Sequence, residues 1–288
     1  MVTILILCFN KLELSQRCVQ ATLDAGYHPE QISVIDNGSS QPLQAMLQER
    51  FPAVNCIRLE HNLGFAGGFT QGIRRFLTMH PNCRDFLFLT NDTQPHPGCA
   101  EACAASARKH RSHLIAPRLL FRNDPERIDS LAARFERTDG TLHHCRTLGL
   151  SPLLQHDEYI PGTAMWMTRE AFEQLGGTDE SYVMYWEDVD LCFRAHQQGI
   201  RMARCEEAII AHGIGQTCHK KPLYSTYYFQ KNRIRFCKKW LDSESWKQVS
   251  SRIATDLQAL MERATLRNDT QRQHFVEQLQ ILLKSESA

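Results

Sequence analysis

The nine residues I-S-V-I-D-N-G-S-S (residues 32–40) decide the fold. Ile32–Asp36 is a short apolar strand that ends on a carboxylate, and Asn37-Gly38-Ser39-Ser40 are turn formers. Working outward, Leu12–Ala25 has helical periodicity and stops at Gly26, while Pro42–Arg50 reads as a second helix. Val2–Cys8 is another apolar strand upstream, and Val54–Leu59 a third downstream. Gly67–Met79 is then helical, Asp85–Thr90 a fourth strand, Pro97–Lys109 a helix and Leu114–Ala116 a further strand. This alternation predicts a mostly parallel central sheet flanked by helices on both faces. Ligands of such sheets bind beyond the carboxyl ends of the strands. Asp36-Asn37-Gly38, then Asn62 with Gly64, then Asn91-Asp92-Thr93 are the polar clusters expected there.

Phe121 to Glu158 is less regular, with Arg, His and Asp, and reads as excursion strands and loops. Glu158–Thr168 returns to a β-rich pattern around Pro161-Gly162-Thr163, and Arg169–Leu175 is a short helix closed by Gly176-Gly177. Val189–Gln198 is helical up to Gly199. Arg201–Arg204 and Ala208–His212 read as two short strands, and everything from Leu223 onward as helix. The expected organisation is a single α/β domain in two halves, residues 1–116 and 117–221, with a C-terminal helical extension over 222–288.

A chain of 288 residues, 42% hydrophobic and 23% charged, has the makings of a sizeable core. Its net charge of +1 offers no field to draw it to nucleic acid. Eleven cysteines without regular spacing read as reduced, mostly buried thiols. The opening Met1–Cys8 reads as a strand, too short to span a membrane and without a basic leader, so a cytoplasmic location is expected.

Chemistry concentrates in S-Y-V-M-Y-W-E-D-V-D-L-C-F-R (residues 181–194). Three carboxylates follow an aromatic run at a helix start, where unpaired N–H groups and the helix dipole favour negative charge. Asp190 with Arg194 makes an ordinary i,i+4 pair. Glu187 and Asp188 have no such local partner, and Asp188 is the favoured functional group. Asp36 suits a ribose or a base edge, or equally a turn cap. N-L-G-F-A-G-G-F-T-Q-G (residues 62–72) is glycine-dense before a helix, which lets a backbone approach a phosphate. Its spacing is not G-x-G-x-x-G and it follows the third strand, which argues against a dinucleotide-binding dehydrogenase. Asp92 is a carboxylate for a hard cation, and His212 is a second ligand or a structural histidine. Cys99 with Cys103, His143-His144-Cys145 and Cys218-His219 lack the spacing of a zinc site. The run from Tyr224 to Trp240 interleaves Lys231, Arg233, Arg235, Lys238 and Lys239 with aromatics. It reads as a solvated face of a core helix, a contact for donor phosphates or a contact with an anionic bilayer.

In this order the motifs resemble those of the inverting glycosyltransferases of family 2, with a GT-A fold, and of its rhamnosyltransferase-like members in particular. The resemblance covers about residues 1–240 and rests on V-I-D-N-G-S-S, N-L-G-F-A-G-G-F-T-Q-G, L-T-N-D-T, Y-W-E-D-V-D-L-C-F-R, A-H-G-I-G-Q-T and Y-Y-F-Q-K-N-R-I-R-F. It implies Asp188 as general base beside Glu187, and Mg²⁺ or Mn²⁺ held by Asp92 with His212. It implies substrate binding by Asn10, Asp36, Asn37, Asn62, Gly64 and Phe65. Gly68, Asn91, Gly162, Thr163 and Trp186 complete that expected set. Thr90 departs from the family's D-x-D pattern, leaving Asp92 as the only local carboxylate. The implied partners are a nucleotide-sugar donor, of dTDP-rhamnose or UDP-hexose type, and a glycan or lipid-linked acceptor. A lipid carrier would bring the C-terminal helices to the inner face of a membrane. The alternatives are a catalytically silent sugar-nucleotide-binding protein of the same fold, or a sugar nucleotidyltransferase.

Overall fold

A computed structural model describes residues 2–213 and 222–287. The first half contains β1 (Thr3–Cys8), α1 (Leu12–Asp24), β2 (Ile32–Asp36), α2 (Leu43–Arg50) and β3 (Asn55–Arg58), followed by α3 (Gly64–Met79), β4 (Asp85–Thr90), β5 (Thr93–Pro95), α4 (Cys99–His110) and β6 (Leu114–Phe121). The excursion forms β7 (Asp124–Ser130), β8 (Ala133–Glu136), β9 (Thr141–His144) and β10 (Glu158–Tyr159). Then come β11 (Ala164–Thr168), α5 (Arg169–Leu175), α6 (Glu187–Gln197), β12 (Met202–His212), α7 (Pro222–Trp240), α8 (Ser243–Leu266) and α9 (Thr270–Ser287).

The main sheet runs β3-β2-β1-β4-β11-β6-β12-β5, with β7 beside the second half of β6, and β10-β8-β9 form a smaller sheet. The strands β3, β2, β1 and β4 are parallel neighbours, as are β6 and β12. The expected parallel pattern has one reversal at its centre: β11 is antiparallel to both β4 and β6. Its entry, Pro161-Gly162-Thr163, therefore lies at the same edge as the exits of β2, β4 and β12.

Strand alternation fills both faces. Ile4, Ile6 and Cys8 of β1 pack with Val19, Leu47 and Cys103 on the side of α1, α2 and α4. Leu5 and Leu7 pack on the other side with Phe69, Phe76 and Phe172 of α3 and α5. The ten described cysteines are free and mostly buried. None of the described helices is long and apolar enough to cross a membrane.

Two sequence boundaries move. The helix α3 begins at Gly64, three residues before the expected start, because the glycines pack closely rather than loop out. A Cβ on Gly68 would meet the Asn37 amide and one on Gly72 the Ile35 side chain. The two strands expected around residues 201–212 are one strand, β12, whose register shifts between Cys205 and Ile209, where Glu206 and Glu207 interrupt the apolar run.

Candidate active site

At the end of β2, Asp36 is fully buried, and three donors occupy its carboxylate. Ser39 N–H donates to Oδ1 at 2.9 Å, and Leu43 N–H and Arg58 Nη1 donate to Oδ2 at 3.2 and 2.5 Å. Asp36, expected to bind the nucleoside, thus also builds the turn. Asn37 is also inward. Its amide donates to the Gly64 carbonyl at 2.8 Å and accepts from Leu63 N–H at 3.1 Å, tying the β2 exit to the start of α3. Gly38 (φ +66) lies so close to His61 and Asn62 that any Cβ would strike their backbone. Asn62 stays exposed, and its Oδ1 accepts from Gly64 N–H at 2.9 Å. Asn10 faces the same turn: its Oδ1 accepts from Ser40 N–H at 2.9 Å.

Three of the other residues expected to bind substrate are buried. Asn91 is 2% exposed and donates to Ser15 Oγ, Gly68 is in the core beside Asn37, and Trp186 is 1% exposed. Trp186 stacks among Phe135, Phe229 and Phe236. Its bulky apolar ring sends it into the core.

The remaining residues form a connected line along the edge. Asp188 is the second residue of α6 and is partly buried; its Oδ2 accepts from Gly162 N–H at 2.8 Å and its Oδ1 from Val189 N–H at 2.9 Å. A Cβ on Gly162 would sit 3.0 Å from the Phe65 ring and 3.5 Å from Asp188 Cβ, so the glycine lets both approach. The next residue, Thr163, accepts through its carbonyl from Thr90 N–H at 3.0 Å. Thr90 Oγ1 in turn donates to Asp92 Oδ1 at 2.6 Å. Asp92 Oδ2 lies 3.8 Å from His212 Nε2.

His212 leads to a residue that the sequence did not reveal. Asp129 of β7, 5% exposed, places Oδ2 2.8 Å from His212 Nδ1. A carboxylate there orients the ring through Nδ1 and leaves Nε2 on the Asp92 side, where it could ligate a cation shared with Asp92. Asp129 had no sequence signal, because it sits in an irregular charged stretch. Among the described residues no group of three His, Cys, Asp or Glu forms a ready cage for a metal. An oxygen and an imidazole nitrogen from Asp92 and His212 fit Mg²⁺ or Mn²⁺ that takes its other ligands from phosphates and water. The rest of the A-H-G-I-G-Q-T motif and Cys218-His219 lie outside the described residues.

Glu187 and Asp188 are a carboxylate pair held partly out of water. Burial, and then the neighbouring Asp188 charge, push the Glu187 carboxyl well above the ordinary glutamate range. Glu187 is 4% exposed and its Oε2 has no hydrogen-bond partner among the described residues. Burial also raises Asp188, opposed by the N–H groups of Gly162 and Val189. Two N–H donors favour the charged form of Asp188, and among the described residues no hydrogen bond reaches Glu187 Oε2 to do the same. A folded-state value above the unfolded one means the native state holds its proton more tightly, so stability falls as pH rises from the ordinary 4.5 toward the raised value. Glu187→Gln is therefore expected to gain on the wild type across that window, by up to about 1.4 kcal/mol per pH unit. Thermal melts of both proteins from pH 4 to pH 8 check this. A constant difference would show that Glu187 is ionised in the fold.

The basic residues of the α7 stretch divide, with Arg233 buried, Lys231 and Arg235 half-buried and Lys238 and Lys239 exposed. Arg233 donates to the carbonyls of Gly140 and Asp139, Arg235 to Ser181, and Lys239 to Asp190 Oδ1 at 2.6 Å.

Residues 3–176, more than half of the chain, match the model of glycosyl transferase family 2. The chain belongs to that family. It is 28% identical over 210 residues to a low-salt glycan biosynthesis hexosyltransferase of Haloferax volcanii, covering 70% of this chain and 65% of that protein. It is 26% identical over 236 residues to an N-acetylglucosaminyl-diphospho-decaprenol L-rhamnosyltransferase of Mycobacterium tuberculosis, covering 71% and 76%. It spans 37% of a pre-mycofactocin glycosyltransferase of the same organism, at 29% identity over 190 residues and 63% of this chain. Among solved structures, a mannosyltransferase of Pyrobaculum calidifontis in complex with GDP-Man and Mn²⁺ aligns with a TM-score of 0.57 at 11% identity, over 97% of this chain and 86% of that one. GalNAc-T7 with UDP, GalNAc and Mn²⁺ aligns with a TM-score of 0.59 at 15% identity, over 88% and 54%. These likenesses bear out the expected GT-A fold. The family match ends at residue 176, so α6, His212 and α7 lie beyond it.

Proposed function

We propose that this family 2 chain is an inverting hexosyltransferase that moves a sugar from a nucleoside-diphosphate sugar to a hydroxyl of a glycan or lipid-linked acceptor. The observation that carries the reading is Asp188: a carboxylate at a helix start, held by Gly162 N–H at the edge where the exits of β2, β4 and β12 gather. Asp188 takes the proton of the acceptor hydroxyl as that oxygen attacks the anomeric carbon, while the bond to the nucleoside diphosphate breaks on the opposite face. A single displacement inverts the centre and needs no protein nucleophile. Glu187 lies beside it, its proton affinity raised by burial and by the Asp188 charge. Phe65, packed against Gly162, would present an apolar ring beside the reacting centre. Asp92 and His212 would hold Mg²⁺ or Mn²⁺, which when bound offsets charge on the diphosphate.

The rhamnosyltransferase relative supports dTDP-rhamnose as one donor to try and a lipid-linked diphosphate sugar as one acceptor, within surface glycan synthesis. Such an acceptor would bring the chain to a membrane surface, with exposed Leu266 and Ile281 on the C-terminal helices as its apolar contacts. Thr90 favours a second reading. Where the family pattern has a carboxylate, its hydroxyl is spent on Asp92, as suits a binding protein without turnover.

Release of nucleoside diphosphate from UDP-, GDP- and dTDP-sugars, with Mn²⁺, Mg²⁺ or EDTA, tests the proposal. Release from one donor is expected, with loss in EDTA and at least a tenfold drop in Asp92→Asn. Nucleotide binding without release from any donor, even with glycan acceptors added, would favour the silent reading.

A further inference from the structure

The loop that delivers the carboxylate pair is bent into a shape its own residues disfavour. Val183 has φ +65 and ψ −59, and Met184 N–H donates to the Tyr182 carbonyl at 2.7 Å. This closes a γ-turn of the rare positive-φ kind on a β-branched residue. Tyr185 (φ +66) and Trp186 (φ +73) continue in left-handed backbone, and Glu187 follows directly. No glycine relieves any of these positions. Backbone of this kind persists only where its surroundings over-determine it.

The surroundings are supplied by α7, in particular by Asn232. This side chain is fully buried, and its Nδ2 lies 2.7 Å from the Tyr182 carbonyl, 2.8 Å from that of Met184 and 3.0 Å from that of Tyr185. An amide nitrogen has two hydrogens, so the three carbonyls share them. Its Oδ1 is buried without a hydrogen-bond partner among the described residues. Every hydrogen bond of this side chain is thus spent on the turn, and an unsatisfied oxygen is tolerated to make them. The loop's outer side meets the donor edge, where the Val183 carbonyl accepts from Ala66 N–H at 3.0 Å.

We propose that Asn232 is a positioning residue for Asp188: its amide clamps the carbonyls of residues 182, 184 and 185, and so keeps the Asp188 carboxylate on Gly162 N–H at the reaction edge. The inference rests on the reading of Asp188 as the base. It assigns a role in turnover to a helix that lies beyond the family match.

The test compares the full-length wild type with Asn232→Ala, Arg235→Ala, Asp188→Asn and the Asp188→Asn/Asn232→Ala double variant, using donor turnover. Arg235 also ties α7 to this region, but through the Ser181 carbonyl and hydroxyl rather than the three turn carbonyls. Asn232→Ala is expected to lower kcat about a hundredfold, as a carboxylate displaced by about 1 Å would. Its acid limb should move to higher pH, because losing the Gly162 N–H bond removes an influence that lowers the Asp188 pKa. Arg235→Ala should stay within threefold of wild type, and the double variant should be no slower than Asp188→Asn alone. Asn232→Ser, which keeps one donor, is judged by the same criteria if Asn232→Ala does not fold. An inactive Asp188→Asn with Asn232→Ala at the wild-type rate and pH profile overturns the clamp alone, as do losses that multiply in the double variant. Wild-type turnover by Asp188→Asn overturns the base itself.

Discussion

Asp188→Asn is expected to lower kcat/KM by a factor of about 10² to 10⁴, the range that a positioned general base contributes. The carboxylate already has features of a base: two backbone N–H groups hold its oxygens and favour its charged form, beside a Glu187 carboxyl whose proton affinity burial raises. Asparagine keeps the shape but cannot take a proton, and its amide nitrogen must face one of those N–H donors. Nucleotide affinity, measured by calorimetry, should change little, because the loops after β2 and β3 do not depend on this group. The pH profile has a definite sign. Burial raises Asp188 above the ordinary 3.8, and a base works deprotonated, so turnover should fall as pH drops through that raised value. A wild-type rate that stays flat down to pH 4 would rule this carboxylate out as the base.

Asp190→Ala is expected to cost about 3–5 kcal/mol of folding stability, the range for removing one partner from a buried charged network. Its carboxylate is wholly inaccessible and accepts from Arg194 Nε at 2.9 Å, Lys239 Nζ at 2.6 Å, Trp240 Nε1 at 2.9 Å and the Tyr182 hydroxyl at 3.4 Å. Truncation leaves two cations and an indole N–H around an empty site between α6 and α7. The melting temperature should fall by about 10 °C on the scale for chains of this size, with a smaller fall for Asp190→Asn. Calorimetry decides it, and a change below about 2 °C would show that the network adds nothing beyond packing.

Asp190 also shows what a linear sequence conceals. Its spacing from Arg194 suggests an ordinary surface pair, and the pair exists, but Lys239 and Trp240 arrive from 49 and 50 residues away. Local signals were readable wherever local physics decided the outcome. The strand Ile32–Asp36 and the helix Arg169–Leu175 fall where the pattern puts them, the latter fixed by the Thr168 cap and by Gly176 in left-handed backbone. Asp36 was legible as a strand-end carboxylate, yet which donors would fill its lone pairs depended on Arg58, a strand away. Asp129 gave no sign at all. Its meaning comes from β7 lying along β6, which brings it to His212 across 83 residues. The bend at residues 183–186 was equally silent, since nothing in Val-Met-Tyr-Trp announces positive φ.

The reversed central strand imposes an order of events on synthesis. The strands β1, β2 and β3 can pair as they emerge, and β4 then adds on the free side of β1. The middle of the sheet must wait, because β11 enters between β4 and β6 only after the whole excursion has been made, and β12 then closes onto β6. The segment bearing the carboxylates comes later still, since its bend is anchored on Asn232, made some tens of residues afterwards. During synthesis a nascent chain can thus complete its first strands while Asp188 is still unanchored. The carboxylate pair settles only with the docking of α7.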